Sequence, residues 1–153
     1  MVATYTSSQA SLASQNTGNS VGASFYCTGS ISLTTALTAN DLVLLTNIPN
    51  GYMVMDVVID TDALDSGASA GLRLAVGEAA TPTRFITSAN TGAGGNQHMN
   101  VPAGLLYSYT VQTSAGNPGF TTILAKCTTA ASTWVNGTMR LAIELQTGET
   151  NFT

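Results

Sequence analysis

From residue 23 onward the chain is a succession of short stretches in which apolar and polar residues alternate. This period of two sends successive side chains of a β-strand to opposite faces. The clearest stretch is the last, Thr138 to Gln146, where Met139, Leu141, Ile143 and Leu145 alternate with Thr138, Arg140, Ala142, Glu144 and Gln146. Gly71 to Gly77 alternates in the same way, which predicts Leu72, Leu74 and Val76 inward and Arg73 and Ala75 outward. Tyr52 to Asp60 predicts a strand with Met53, Met55, Val57 and Ile59 toward the core and Tyr52, Val54, Asp56, Val58 and Asp60 away from it. Ala23 to Thr28 and Ile31 to Thr34 predict a strand or strand pair broken at Gly29-Ser30. Leu42 to Asn47, Arg84 to Thr87 behind Pro82, Leu105 to Thr113 and Thr121 to Cys127 complete the set.

Turn chemistry separates these stretches. Ile48-Pro49-Asn50-Gly51 predicts a hairpin, because proline presets φ and glycine accepts positive φ. Asn90 to Asn100 reads as a glycine-rich loop, and Ala115 to Gly119 as a turn. Residues 1–22 carry no charge and hold neither strand nor helix period. They predict an N-terminal arm, either a tail or an extension that orders only against a partner or a neighbouring subunit. With no amphipathic helical stretch anywhere, the expected fold is all-β: a two-sheet β-sandwich of jelly-roll type, about eight strands, with the arm over 1–22 and the sandwich domain over 23–153. An immunoglobulin-type sandwich is disfavoured, since Trp134 follows both Cys27 and Cys127 instead of lying between them.

Composition sharpens this picture. The 153 residues suit one domain, and charged residues make up only 8% against ~25% in ordinary soluble domains. Threonine (24), serine (14) and asparagine (11) must therefore do much of the solvating. The cations are one lysine, Lys126, and three arginines, Arg73, Arg84 and Arg140, in a chain of net charge −4. So few cations cannot neutralise a run of phosphates or hold an anionic bilayer, which argues against nucleic acid and membrane as partners. No stretch approaches the ~20 apolar residues of a spanning helix. The first 22 residues lack the basic and apolar regions of a secretory signal. Cys27 and Cys127 read as two buried apolar thiols.

Candidate chemistry is sparse. Asp41, Asp56, Asp60, Asp62 and Asp65 are five of the eight acidic residues and lie in a segment free of cations. Asp60 to Asp65 could offer oxygens to calcium, but an EF-hand loop needs a ligand where Leu64 stands and glycine where Asp65 stands. The expected role is a solvated acidic turn whose carboxylates cap backbone N–H groups. His98 is the sole histidine, there is no G-x-S-x-G elbow, and two distant cysteines do not make a zinc site. Gly92 to Gly95 lacks the lysine and helix of a phosphate cradle. The sequons at Asn136 and Asn151 are chance matches in a threonine-rich chain. Tyr107, Tyr109 and Trp134 could form a sugar platform, although strand spacing with Val111 favours a core position for both tyrosines. No catalytic, metal or cofactor-binding residue is assigned, no cofactor is expected, and the chain is not expected to be an enzyme.

One segment carries a resemblance. Thr35-Ala36-Leu37-Thr38-Ala39-Asn40-Asp41-Leu42-Val43, Ile48-Pro49-Asn50-Gly51, Asp56 through Asp65 and Leu74-Ala75-Val76-Gly77 follow one another in an order that resembles tailed-bacteriophage virion proteins, specifically capsid cement or decoration proteins. It covers about a third of the chain. The resemblance implies a jelly-roll or related sandwich oligomer bound outside the head. Its partners would be the major capsid protein and further copies of itself, as a homodimer or homotrimer, and its location the capsid exterior of the virion after synthesis in the host cytoplasm. Related sandwiches occur in tail and head fibres, so a module binding carbohydrate on the host surface is the alternative.

Overall fold

The computed structural model describes residues 2–8, 10, 24–49, 52–99, 109–110 and 119–147. Among them are ten strands: β1 (Thr4–Thr6), β2 (Ser24–Leu33), β3 (Leu42–Pro49), β4 (Tyr52–Ala63), β5 (Arg73–Glu78), β6 (Ile86–Ala89), β7 (Ala93–His98), β8 (Tyr109–Thr110), β9 (Phe120–Thr129) and β10 (Gly137–Thr147). They form two sheets. Sheet A has the order β1-β3-β9-β5-β6, and sheet B the order β2-β10-β4-β7, with β8 also paired to β4. All pairs are antiparallel except β1 with β3. The chain is thus an all-β, two-sheet sandwich.

Apolar alternation places the core between the sheets. Met139, Leu141, Ile143 and Leu145 of β10 are all at most 2% exposed, and they share one buried cluster with Leu74, Val76, Ile123, Ala125 and Cys127 of sheet A. A buried aliphatic side chain contributes ~1.5–3 kcal/mol relative to exposure, so this shared interior, and not surface ion pairs, holds the layers together.

Several expectations are corrected by the register. In β4, Glu144 of β10 stands opposite Asp56 while Leu145 stands opposite Val54, leaving Met55 as the extra residue of a bulge. One inserted residue reverses the phase of alternation. Val57 and Ile59 face inward as expected, but beyond the bulge Val54 is the buried residue, and Met53 and Met55 are half-buried. Nor does a hairpin join β3 to β4: the two strands lie in different sheets, so the chain crosses the sandwich after Pro49. Positions 50 and 51 themselves lie outside the described residues.

Glycine misled the reading twice. Gly29 does not break the first strand, since β2 pairs with β10 without a register shift from Ser24 to Leu33. A side chain at Gly29 would collide with the Leu45 carbonyl of the opposite sheet, so glycine there permits close approach of two backbones. The expected loop at Asn90–Asn100 contains an edge strand, β7, whose Ala93–His98 backbone pairs with β4. Gly94 and Gly95 take φ values of 91° and 122°, an irregular edge that other residues would strain to follow. Ala75, expected outward, is fully buried. The segment read as an arm starts with β1, an edge strand of this chain's own sheet A, while residues 11–23 lie outside the described residues. Of the expected strand Leu105–Thr113, Tyr109–Thr110 is described and pairs with β4.

Candidate functional surface

The five clustered aspartates separate into two kinds of site. Asp65, 2% exposed, accepts six hydrogen bonds. Its Oδ1 receives the Gly67 N–H at 3.1 Å, the Ser132 hydroxyl at 2.9 Å and the Thr133 N–H at 2.9 Å. Its Oδ2 receives the N–H groups of Gly71 at 2.6 Å, Leu72 at 3.2 Å and Ser132 at 2.9 Å. Burial alone would raise the carboxyl pKa. The N–H groups of Thr133, Ser132 and Gly67 with the Ser132 hydroxyl outweigh it and hold the group far below the ordinary carboxylate range. Two loops, before β5 and before β10, are thereby tied to one anion. This is the backbone capping expected of the acidic run, but it is buried instead of solvated.

Asp41, 1% exposed, performs the same service at the start of β3. Its two oxygens accept the Ala3 N–H at 2.7 Å and the Thr38 N–H at 2.8 Å. Burial opposes its charge, and these donors more than compensate, so its pKa is lowered.

Asp56, Asp60 and Asp62 instead lie along β4 on the outer face of sheet B, within a strand and not a turn. Arg140 of β10 reaches Asp60 at 3.0 Å and Asp62 at 2.9 Å. The Thr138 N–H, 2.8 Å from Asp62, is the main cause that lowers the Asp62 pKa, with Arg140 adding to it. Asp56 meets the His98 Nδ1 at 2.6 Å, and Glu144 stands opposite Asp56 in the register. Four of the eight carboxylates therefore share this face with one arginine and one histidine. Between them lies a shallow depression of about 280 Å³ bordered by Thr28, Ser30, Val58, Asp60, Arg140 and Ala142. Tyr26, 65% exposed, stands on the same strand as Thr28.

Several charged groups of this face are engaged with one another. His98 has a carboxylate on one ring nitrogen, but among the described residues no hydroxyl or thiol is bonded to the other, as a nucleophile–base pair requires. Asp60 and Asp62 are engaged by Arg140, Asp65 is saturated, and among the described residues no three His, Cys, Asp or Glu side chains converge as a metal site. Cys27 and Cys127 are buried free thiols, and burial pushes both up to about 11, Asp41 adding to the shift of Cys127. Trp134 packs half-buried against the core and donates its Nε1–H to Asn136 at 3.0 Å, so its ring is not an open platform. Tyr107 lies outside the described residues.

The outer face of sheet A differs. The backbone of residues 81–84 closes over Gly77, where a Cβ would strike the Thr81 carbonyl. Leu124, in register with Gly77, is 1% exposed. Arg84 pairs with the nearly buried Glu78 at 2.7 Å and secures this flap. The role of Asp41 at Ala3 left no sequence signal, because the two residues meet only through the pairing of β1 with β3.

No protein-family model and no curated protein matches this chain, whereas solved structures do. The chain is similar to one in the structure titled "Capsid of Ralstonia phage GP4", with a TM-score of 0.81 and 18% identity, over 97% of this chain and 100% of that one. It is similar to one in "Cyanophage Pam1 capsid asymmetric unit", with a TM-score of 0.65 and 23% identity, over 86% and 90%. A third, in "Acidic stable capsid structure of Helicobacter pylori bacteriophage KHP30", has a TM-score of 0.52 and 18% identity, over 82% and 88%. What these likenesses establish is a shared fold: the two-sheet sandwich recurs in three phage capsid structures.

Proposed function

We propose that this protein is a non-enzymatic structural component of a bacteriophage capsid, a cement or decoration protein that binds the outer surface of the head and stabilises the major capsid protein lattice. The observation that carries the reading is the match to a chain of the Ralstonia phage GP4 capsid along essentially the whole length of both chains. A whole-chain match means the sandwich occurs there as a unit of the same size. The strand order supports the jelly-roll reading as well: β2-β10-β4-β7 facing β3-β9-β5-β6 is the order of two interlocked Greek keys.

The physical chemistry is of the same kind. Binding to a lattice favours a rigid scaffold whose surface can be desolvated without stranding charges, and only 8% of these residues are charged. Weak contacts repeated around a shell add up to strong avidity. A homodimer or homotrimer on the capsid exterior fits this scheme. A fibre module that binds carbohydrate has less support, given the Trp134 side chain engaged with the core and Asn136.

The test is to add purified protein to undecorated heads, then measure co-sedimentation and resistance of the heads to heat. Saturable binding with a raised disruption temperature is the expected result. Absence of binding would remove the cement role.

A further inference from the structure

β1 is attached to the sandwich in an unusual way. It is three residues long, lies at the edge of sheet A, and pairs in parallel with β3, Thr4 opposite Leu42 and Thr6 opposite Leu44. Its neighbourhood is bound mostly by polar main-chain contacts: the Ala3 N–H to Asp41, the Leu42 N–H to the Ala3 carbonyl at 2.9 Å, and the Ser7 N–H to the Leu44 carbonyl at 2.8 Å. The Ser7 hydroxyl donates to the Leu45 carbonyl, and the Asn47 amide donates to the Ala10 carbonyl at 2.9 Å. Of the strand's side chains only Tyr5 packs against the core, while Thr4 and Thr6 are exposed.

The receiving side is the more built of the two. Asp41 is buried and ionised, and Ala3 supplies one of the two N–H groups that its carboxylate accepts. The β3 edge therefore needs a strand, but nothing in these contacts requires that strand to come from the same chain. Thirteen positions, 11–23, lie between Ala10 and β2; a fully extended chain of that length spans at most ~45 Å.

We propose that the β3 edge with Asp41 is a strand-acceptor site that takes Val2–Ser8 from a second copy of this chain as well as from its own. The contacts are identical in both arrangements, so the choice is set by concentration. A short covalent link typically gives the linked strand an effective concentration on the order of 1 mM. Dilute protein keeps its own β1, and copies crowded to that level exchange it, linking neighbours at little cost. A short edge strand opens readily enough to allow this.

Two chains, one carrying Thr4→Cys and the other Leu42→Cys, are mixed at ~10 µM and at ~1 mM, oxidised, and mapped by mass spectrometry. Thr6→Cys with Leu44→Cys serves as a second register pair, and the double variants in one chain report the closed arrangement. The expected result is a mixed disulfide at least ~10-fold more abundant at the higher concentration. No mixed disulfide at either pair at ~1 mM would overturn the proposal. Because the measurement uses the free protein, its failure leaves the capsid reading standing, and failure to bind heads leaves strand exchange standing.

Discussion

Asp65 and Asp62 are three positions apart, yet one carboxylate is a structural anchor and the other a surface group. Asp65 sits at the junction of two loops and accepts backbone N–H groups from both, whereas Asp62 projects from the open face of sheet B toward Arg140. The difference teaches that charge in this protein is used in two ways. In the loops, anions replace the regular pairing that irregular backbone lacks. On the outer face of sheet B, exposed acids pair with Arg140 and His98 in water, and such pairs contribute little to stability.

The largest effect expected from this contrast is on removal of the anchor. Asp65→Ala leaves N–H donors of Gly71, Leu72, Ser132 and Thr133 without their acceptor, and the melting temperature should fall by on the order of 10 °C. Asp62→Ala should lower it by no more than ~2 °C. Equal losses in thermal denaturation would erase the distinction.

A smaller effect is expected from acid. Asp65, Asp41 and Asp62 have pKa values below their ordinary 3.8. A group with a depressed folded-state pKa contributes stability that is complete above its unfolded value and is lost as pH falls through the folded one. Stability followed by circular dichroism should thus hold from neutrality down to ~5 and decline below ~4. Asp65→Asn should flatten that decline markedly, Asp62→Asn hardly at all, because its exposed carboxylate is screened by solvent.

The smallest effect belongs to the surface ions. Arg140→Ala should shift the melting temperature by no more than ~2 °C, and raising salt from 0.05 to about 0.5 M should remove even that. A large salt-insensitive loss would place Arg140 among the structural groups with Asp65.

Much of the sandwich was legible in advance. The alternation of Met139, Leu141, Ile143 and Leu145 located a central strand and its buried face correctly, because a residue period of two is a local property of an extended chain. Met53 and Met55 were misplaced because the bulge at Met55 arises only when β4 pairs with β10. Likewise Gly94 and Gly95 have the local signature of a loop, and the exposed edge of β4 turns them into strand.

The candidate surface was less legible. A run of five aspartates advertised acidic chemistry, but its division between Asp41 and Asp65 inside and Asp56, Asp60 and Asp62 outside depends on partners as distant as Ser132 and Arg140. Sequence by itself determined the β-rich class, the scarcity of charge and the inward face of the regular strands, since those follow from composition and local periodicity. Tertiary structure alone decided which strands share a sheet, where the phase of alternation reverses, and which carboxylate meets donors in place of water, since each depends on residues brought together from far along the chain.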